Sequence, residues 1–157
     1  MNLLTIFKQT TIFSVILMSG MISLLIQCNG TRPSILGVKE NKLTSCPKTP
    51  NCINSFSDPK DEVHYKAAIP FKKPIAEAKN ILKQKIQDYP RTEIIKEESN
   101  YIYAEFTSLL MRYVDDVEFY FDEKSKTLHF RSASRLGSGD FGVNRKRIET
   151  LTKDLDI

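Results

Sequence analysis

Between Pro74 and Pro90 the apolar residues recur at helical spacing. Ile75, Ala78, Ile81, Leu82, Ile86 and Tyr89 share one face, and Lys79, Lys83, Lys85 and Gln87 take the others. This is an amphipathic helix. Pro74 suits its first turn, where a fixed φ is helical already, and Pro90 ends it. Elsewhere the period is two. "VHYKAAIPF" (63–71), "TEIIKEES" (92–99), "YIYAEFTS" (101–108), "VEFYFD" (117–122) and "LHFRSASR" (128–135) read as strands. The last two flank the polar "EKSKT" and predict a hairpin. A second helix begins near Asn144, with Ile148, Leu151 and Leu155 on one stripe. The predicted order is β-α-β-β-β-β-α. Strands in a run, without helices between them, favour an α+β fold: an antiparallel sheet of about five strands with two helices on one face.

The hairpin pattern also predicts register. Val117, Phe119 and Phe121 share a face, as do Leu128 and Phe130. If both sets look into the core, a slip of one residue would turn one set to solvent. The opposite face then carries Glu118, Tyr120 and Asp122 on one strand and His129 and Arg131 on the other. A turn centred near Lys124-Ser125 places Glu118 opposite Arg131. Between two strands, "SLLMRYV" (108–114) breaks the alternation with Leu109, Leu110 and Met111 in a row. Either a bend lets them fill the sheet–helix interface, or they form an exposed patch for lipid or a partner.

The front of the chain follows neither period. Lys8 is the only charge before Cys28, and residues 11–26, "TIFSVILMSGMISLLI", carry none. Sixteen residues broken by Ser14, Ser19, Gly20 and Ser23 fall short of the ~20 a spanning helix needs and suit a signal-peptide apolar region. The run ends in "LLIQC". An apolar segment ending at a cysteine resembles a bacterial lipoprotein signal, which implies cleavage before Cys28 and acylation of it. Leu25 fits that pattern, and Gln27 stands where a small residue is usual. The competing reading is an uncleaved N-terminal anchor. Residues 1–27 are thus expected as signal peptide, 28–45 as a tether without steady period, and 46–157 as a single domain. In the expected location, the bacterial cell envelope, the body is held to a membrane on its periplasmic or surface face.

Three cysteines in an exported chain leave one over. With Cys28 lipidated, Cys46 and Cys52 remain in "CPKTPNC", and an oxidising compartment permits their disulfide. The C-x₅-C spacing is unlike a C-x-x-C redox motif, and two cysteines are too few for structural zinc. No metal and no cofactor is expected.

"RLGSGDFGVNRKR" (135–147) contains G-x-G-x-x-G in Gly137, Gly139 and Gly142. A dinucleotide fingerprint needs a following strand and an acid about 20 residues on, and the given sequence has fifteen residues after Gly142. The glycines read instead as a sharp strand-to-helix turn. "CPKTPNCINS", "YIYAEFTS", "RYVDDVEFYFD" and "HFRSASRLGSGDFGVNRKRIE" together resemble domain of unknown function family 1499 over residues 46–151. That family's turn usually reads G-x-S-D-x-G, so Gly139 stands where serine is common. The resemblance implies a small envelope or organelle domain and no established activity.

Charge narrows the function. Setting Lys8 aside, twenty-two Lys and Arg face nineteen Asp and Glu, a balance of +3. That is too weak and too interspersed for dedicated nucleic-acid binding, though it suits an anionic membrane surface. His129 and His64 have no nearby G-x-S-x-G, so no catalytic residue is assigned. The density of Arg112, Asp115, Asp116, Glu118, Arg131, Arg135, Asp140, Asn144, Arg145 and Arg147 supports three readings. Asp140 or Asn144 caps the helix while arginines pin the acids. Alternatively the arginines and helix-terminal N–H groups hold an anionic or zwitterionic ligand, or an envelope protein. In the third, Asp115, Asp116 and Glu118 serve a hydrolase-type or metal-assisted enzyme, although neighbours in a strand point to opposite faces. The expectation is a non-catalytic ligand- or partner-binding domain.

Overall fold

The computed structural model describes residues 28–157, so the expected signal peptide lies outside the described residues. Six strands and two helices follow: β1 (Cys52–Asn54), β2 (Ile69–Pro70), α1 (Ile75–Asp88), β3 (Thr92–Glu97), β4 (Tyr101–Thr107), β5 (Val114–Asp122), β6 (Thr127–Ser134) and α2 (Val143–Thr152). They form one antiparallel sheet in the order β1-β6-β5-β4-β3, with β2 also paired to β6. The α+β class and the run of four consecutive strands between the helices stand as expected.

Both helices cover one face. Ala78, Leu82 and Ile86 of α1 and Ile148 and Leu151 of α2 are buried with Val117, Phe119, Phe121, Leu128 and Phe130. The hairpin register is the one its alternation requires, with Phe119 opposite Phe130 and Glu118 opposite Arg131. Two details differ from expectation. The 63–71 segment forms a strand only at Ile69 and Pro70, with a single bridge from Tyr65 to Asn54 before it, because Asp61 draws the chain into a turn by accepting the backbone N–H groups of Val63 and His64. The three-residue β1 was not expected, being too short for a period to show. It places Cys52 beside β6, and the Cys46–Cys52 disulfide closes with a Cα–Cα distance of 5.7 Å.

Among the described residues no helix covers the sheet's second face. Its rings, Tyr101, Tyr103 and Tyr120, pack with Leu43, Leu36 and Val38. The segment expected as a free tether is therefore laid across the sheet, where three tyrosines need apolar cover. Thr44 binds the carbonyl of Ile35, and the Asn54 amide binds that of Thr44.

The glycine turn follows β6. Gly137 and Gly142 have φ of +85° and +77°, whereas Gly139 has no left-handed φ and nothing near its would-be Cβ. An alanine at 142 is expected to cost about 1 kcal/mol through left-handed strain. Gly139→Ser is expected to stay within about 0.5 kcal/mol of the parent, as an unobstructed surface change does. Paired urea unfolding curves check both, and equal losses would contradict the turn geometry.

Candidate functional site

Several of the acids and arginines singled out in the sequence come together on the sheet, on its two faces. Asp115 points to the helix side. Its carboxylate accepts a hydrogen bond from the Arg147 Nη2 group. Arg147 also donates through Nη1 to Ser132 Oγ at 3.0 Å and to Asn144 Oδ1 at 2.7 Å, and its guanidinium lies 4.9 Å from the centroid of Phe106. Asn144 is fully buried. Its amide reaches the Asn51 carbonyl, Ser134 Oγ and Asp140 Oδ2. Asp140 accepts the N–H groups of Gly142 and Asn144, so it satisfies donors that the first turn of α2 leaves open.

Asp116, one residue on, opens to the other face. Arg135 leaves the end of β6 and folds back onto it, with Nε at 3.1 and 3.0 Å from the two carboxylate oxygens and Nη2 at 2.7 Å from Oδ1. The same Nη2 donates to Tyr103 Oη at 3.0 Å and to Glu105. Register sets Glu105 directly opposite Asp116, a like-charge pair that destabilises a sheet when left alone. Arg135 lies between them, and Arg32 Nε adds a 2.6 Å bond to Glu105 from the covering segment. Burial pushes the Glu105 carboxyl up. Hydrogen bonds from Arg32, Tyr103 and Arg135 outweigh it and hold the group below its ordinary value. Tyr103 is pushed well above the usual phenol range, by burial first and then by its bonds to Asp116 and Glu105.

Further along the same face, Glu118 has no exposure. Its Oε1 accepts from the backbone N–H of Gly37 at 2.7 Å and from Tyr101 Oη at 2.8 Å. Arg131 Nη1 stands 3.5 Å from Oε2, and Glu118 Oε2, Arg131 Nε and Arg131 Nη1 have no hydrogen-bond partner. Burial is the largest influence on Glu118 and raises its pKa against the opposing bonds from Gly37 and Tyr101 and the attraction of Arg131.

The remaining two expected site residues lie apart. Arg145 Nη2 donates to the carbonyls of Glu62, Val63 and Tyr65 and so pins the turn before β2. Arg112, at φ +57° in the connection from β4 to β5, has no side-chain ion pair or hydrogen bond among the described residues. Sequence reasoning missed Arg32, Tyr101, Tyr103 and Glu105 as members of the cluster. Alternation in "YIYAEFTS" does put Tyr101, Tyr103 and Glu105 on the face of Glu118. It also missed a serine–histidine contact: Ser55 Oγ lies 3.0 Å from His129 Nδ1, while that ring stacks on Phe56 at 3.9 Å. The Ser55 hydroxyl also accepts the Phe130 N–H at 3.1 Å, and burial pushes His129 down. His64 uses both ring nitrogens, one on Asp61 at 2.7 Å and one facing the Thr49 carbonyl at 3.2 Å.

Asp115 and Asp116 thus share no cleft, and each has its own arginine. No group of three His, Cys, Asp or Glu side chains among the described residues is placed to hold a metal. Leu109, Leu110 and Met111, by contrast, are 65, 80 and 49 % exposed, which excludes the interface-filling bend. The sequence profile of the family described as "Protein of unknown function (DUF1499)" matches residues 42–155.

The chain belongs to the DUF1499 family. The match takes in β1 through α2 and with them every arginine and acid of the cluster except Arg32, which precedes it. No curated protein and no solved structure matches this DUF1499 chain. No helix among its described residues is long and apolar enough to cross a membrane.

Proposed function

We propose that this DUF1499 chain is a lipid-anchored domain of the bacterial envelope that works by binding and not by catalysis, with Cys28 as the acylated residue. The carrying observation is where Cys28 sits. One residue, Gln27, separates it from the uncharged run of residues 11–26, and in the fold its backbone N–H bonds to the Met111 carbonyl at 3.4 Å, at the end of the sheet where β5 begins. An anchor there ties down the covering segment as well as the domain. The charged cluster then acts as a clamp: Glu105 holds Arg32 and Glu118 holds the Gly37 N–H of residues 28–45, and Arg135 reaches the Asn29 carbonyl. Binding of a ligand or partner falls to surface outside that clamp.

Support for a non-catalytic role comes from the pairing itself. A general acid or base needs a proton to exchange with substrate, and Asp115, Asp116 and Glu118 each face an arginine while buried. Intact mass spectrometry of the chain isolated from membranes tests the anchor. The expected mass is that of the chain starting at Cys28, with acyl groups added and two hydrogens removed for the Cys46–Cys52 bridge. Recovery of an unacylated chain in the aqueous fraction overturns the proposal.

A further inference from the structure

The large apolar side chains that remain exposed are not scattered. Nine are exposed among the described residues; six of them, Leu109, Leu110, Met111, Tyr113, Leu136 and Phe141, fall in the two connections that leave one end of the sheet, and a seventh, Val143, opens α2 just after the second. Residues 108–113 join β4 to β5, and residues 135–142 join β6 to α2. The register fixes their neighbourhood, since Thr107 pairs with Val114 and Asp115 with Ser134. Phe141 is fully exposed in a left-handed backbone conformation, φ +53°. A side chain of that size held out into water at a strained position has no role in the core.

The placement of Cys28 and Gly30 bears on what covers this rim. Cys28 bonds to Met111, and a Cβ on Gly30 would come within 3.1 Å of the Leu136 side chain. The described chain therefore begins between the two apolar connections. The uncharged apolar run of residues 11–26 ends two residues before Cys28. From these placements we infer that the rim of Leu109, Leu110, Met111, Leu136 and Phe141 is a membrane-docking surface that lies in the lipid interface beside the anchor. The inference rests on the anchored reading and deepens it.

The charges of the rim agree. Of its two acidic or basic groups beyond Arg112, Arg135 is engaged with Asp116 and Glu105, and Asp140 is engaged with the start of α2. Of the rim's charged groups Arg112 is the one with no partner among the described residues, and its long side chain can bury its stem and place its guanidinium at the headgroups, where anionic lipid attracts it. Interfacial elements bury their apolar face to a depth of about 5–10 Å, the reach of an extended loop side chain. An acyl leash fixes distance and leaves orientation free. A second, apolar contact fixes which way the sheet faces.

The sequence contains no tryptophan, so a single introduced one reports unambiguously. In the full chain reconstituted in phosphatidylcholine–phosphatidylglycerol vesicles, Phe141→Trp is expected to emit to the blue and to be quenched by brominated lipid. Lys124→Trp, in the β5–β6 turn at the opposite end of the sheet, is expected to show neither. Adding Leu110→Glu to Phe141→Trp shifts the docked-to-undocked ratio by about tenfold or more, the loss of one buried leucine, and restores most of the emission. If Phe141→Trp stays as unquenched as Lys124→Trp, the docking surface is overturned. A blue shift without lipid quenching also overturns it, since a protein then covers the rim. Mass spectrometry on the same sample separates the two readings: an acylated chain with an unquenched rim loses only the docking surface, and an unacylated chain with a quenched rim loses only the anchor.

Discussion

Arg147→Ala lowers the unfolding free energy by about 4 kcal/mol, the loss expected when one partner of a buried ion pair is removed and the other stays. Arg147 is 5 % exposed and Asp115 8 %, so neither charge regains much water when the other is lost. The substitution also releases Ser132 and Asn144, both without exposure, from the Nη1 donor they share. Asn144 is the residue that fixes α2 to the Asn51 carbonyl and to Asp140, so the helix loses part of its seat. Arg147 Nε has no partner, and the native pair therefore already carries an unmet donor. Removing both charges together should for that reason cost much less than the sum of the two single changes. Urea unfolding of Arg147→Ala, Asp115→Ala and the double variant measures it. Additive losses would mean that the two side chains do not act on each other.

Much of the fold was legible because its faces alternate cleanly. Phe119, Phe121, Leu128 and Phe130 could only be paired in one register without exposing aromatic rings. Helix α1 was bounded by Pro74 and Pro90 and striped at the right period. Misreadings occurred where burial is not apolar. β5 begins three residues before "VEFYFD", since Asp115 and Asp116 look like loop residues until Arg147 and Arg135 are brought to them. Neither partner is close in sequence: 32 residues separate Asp115 from Arg147. The covering segment failed for a related reason. Leu36, Val38 and Leu43 obey no period, because what they fit is the irregular floor made by three tyrosines. The Arg32–Glu105 bond spans 73 residues, and no local rule could supply it. The glycines were readable, since φ values at Gly137 and Gly142 that favour glycine are what a sharp turn into a helix asks for. The charged residues singled out in the sequence fall into separate groups in the fold, Asp115 with Arg147 and Asp116 with Arg135. That adjacent aspartates serve opposite sides of the sheet follows from the period of two; which arginine each one meets does not.

Arg135→Ala is expected to match the first variant in size, again about 4 kcal/mol from an uncompensated buried acid, and to differ from it in kind. Asp116 is 2 % exposed, and Glu105 faces it across the β4–β5 pairing. Without the guanidinium the two carboxylates confront each other with only the Tyr103 hydroxyl between them. Arg135 also donates to the Asn29 carbonyl at 3.5 Å, and Glu105 is the group that Arg32 binds. The covering segment should therefore loosen before the sheet does, so that trypsin cleaves after Lys39 or Lys42 faster in this variant than in Arg147→Ala. The pH dependence carries a sign. Because the Glu105 pKa is held below its ordinary value in the folded state, its stabilisation is present above that ordinary value and is lost as pH falls through the depressed one. Glu118 has the opposite sense: raised by burial, it favours the fold in acid and withdraws that support as pH rises through its raised value. Removing Arg135 weakens the hold on Glu105 and leaves the Gly37 and Tyr101 bonds to Glu118 in place. The difference in stability between parent and Arg135→Ala should then shrink as the solution is acidified below the ordinary glutamate range, while Glu118→Gln flattens the opposing slope above it. Urea midpoints taken across that interval decide the matter. A difference that grows toward low pH would mean that Arg135 is not what keeps Glu105 ionised.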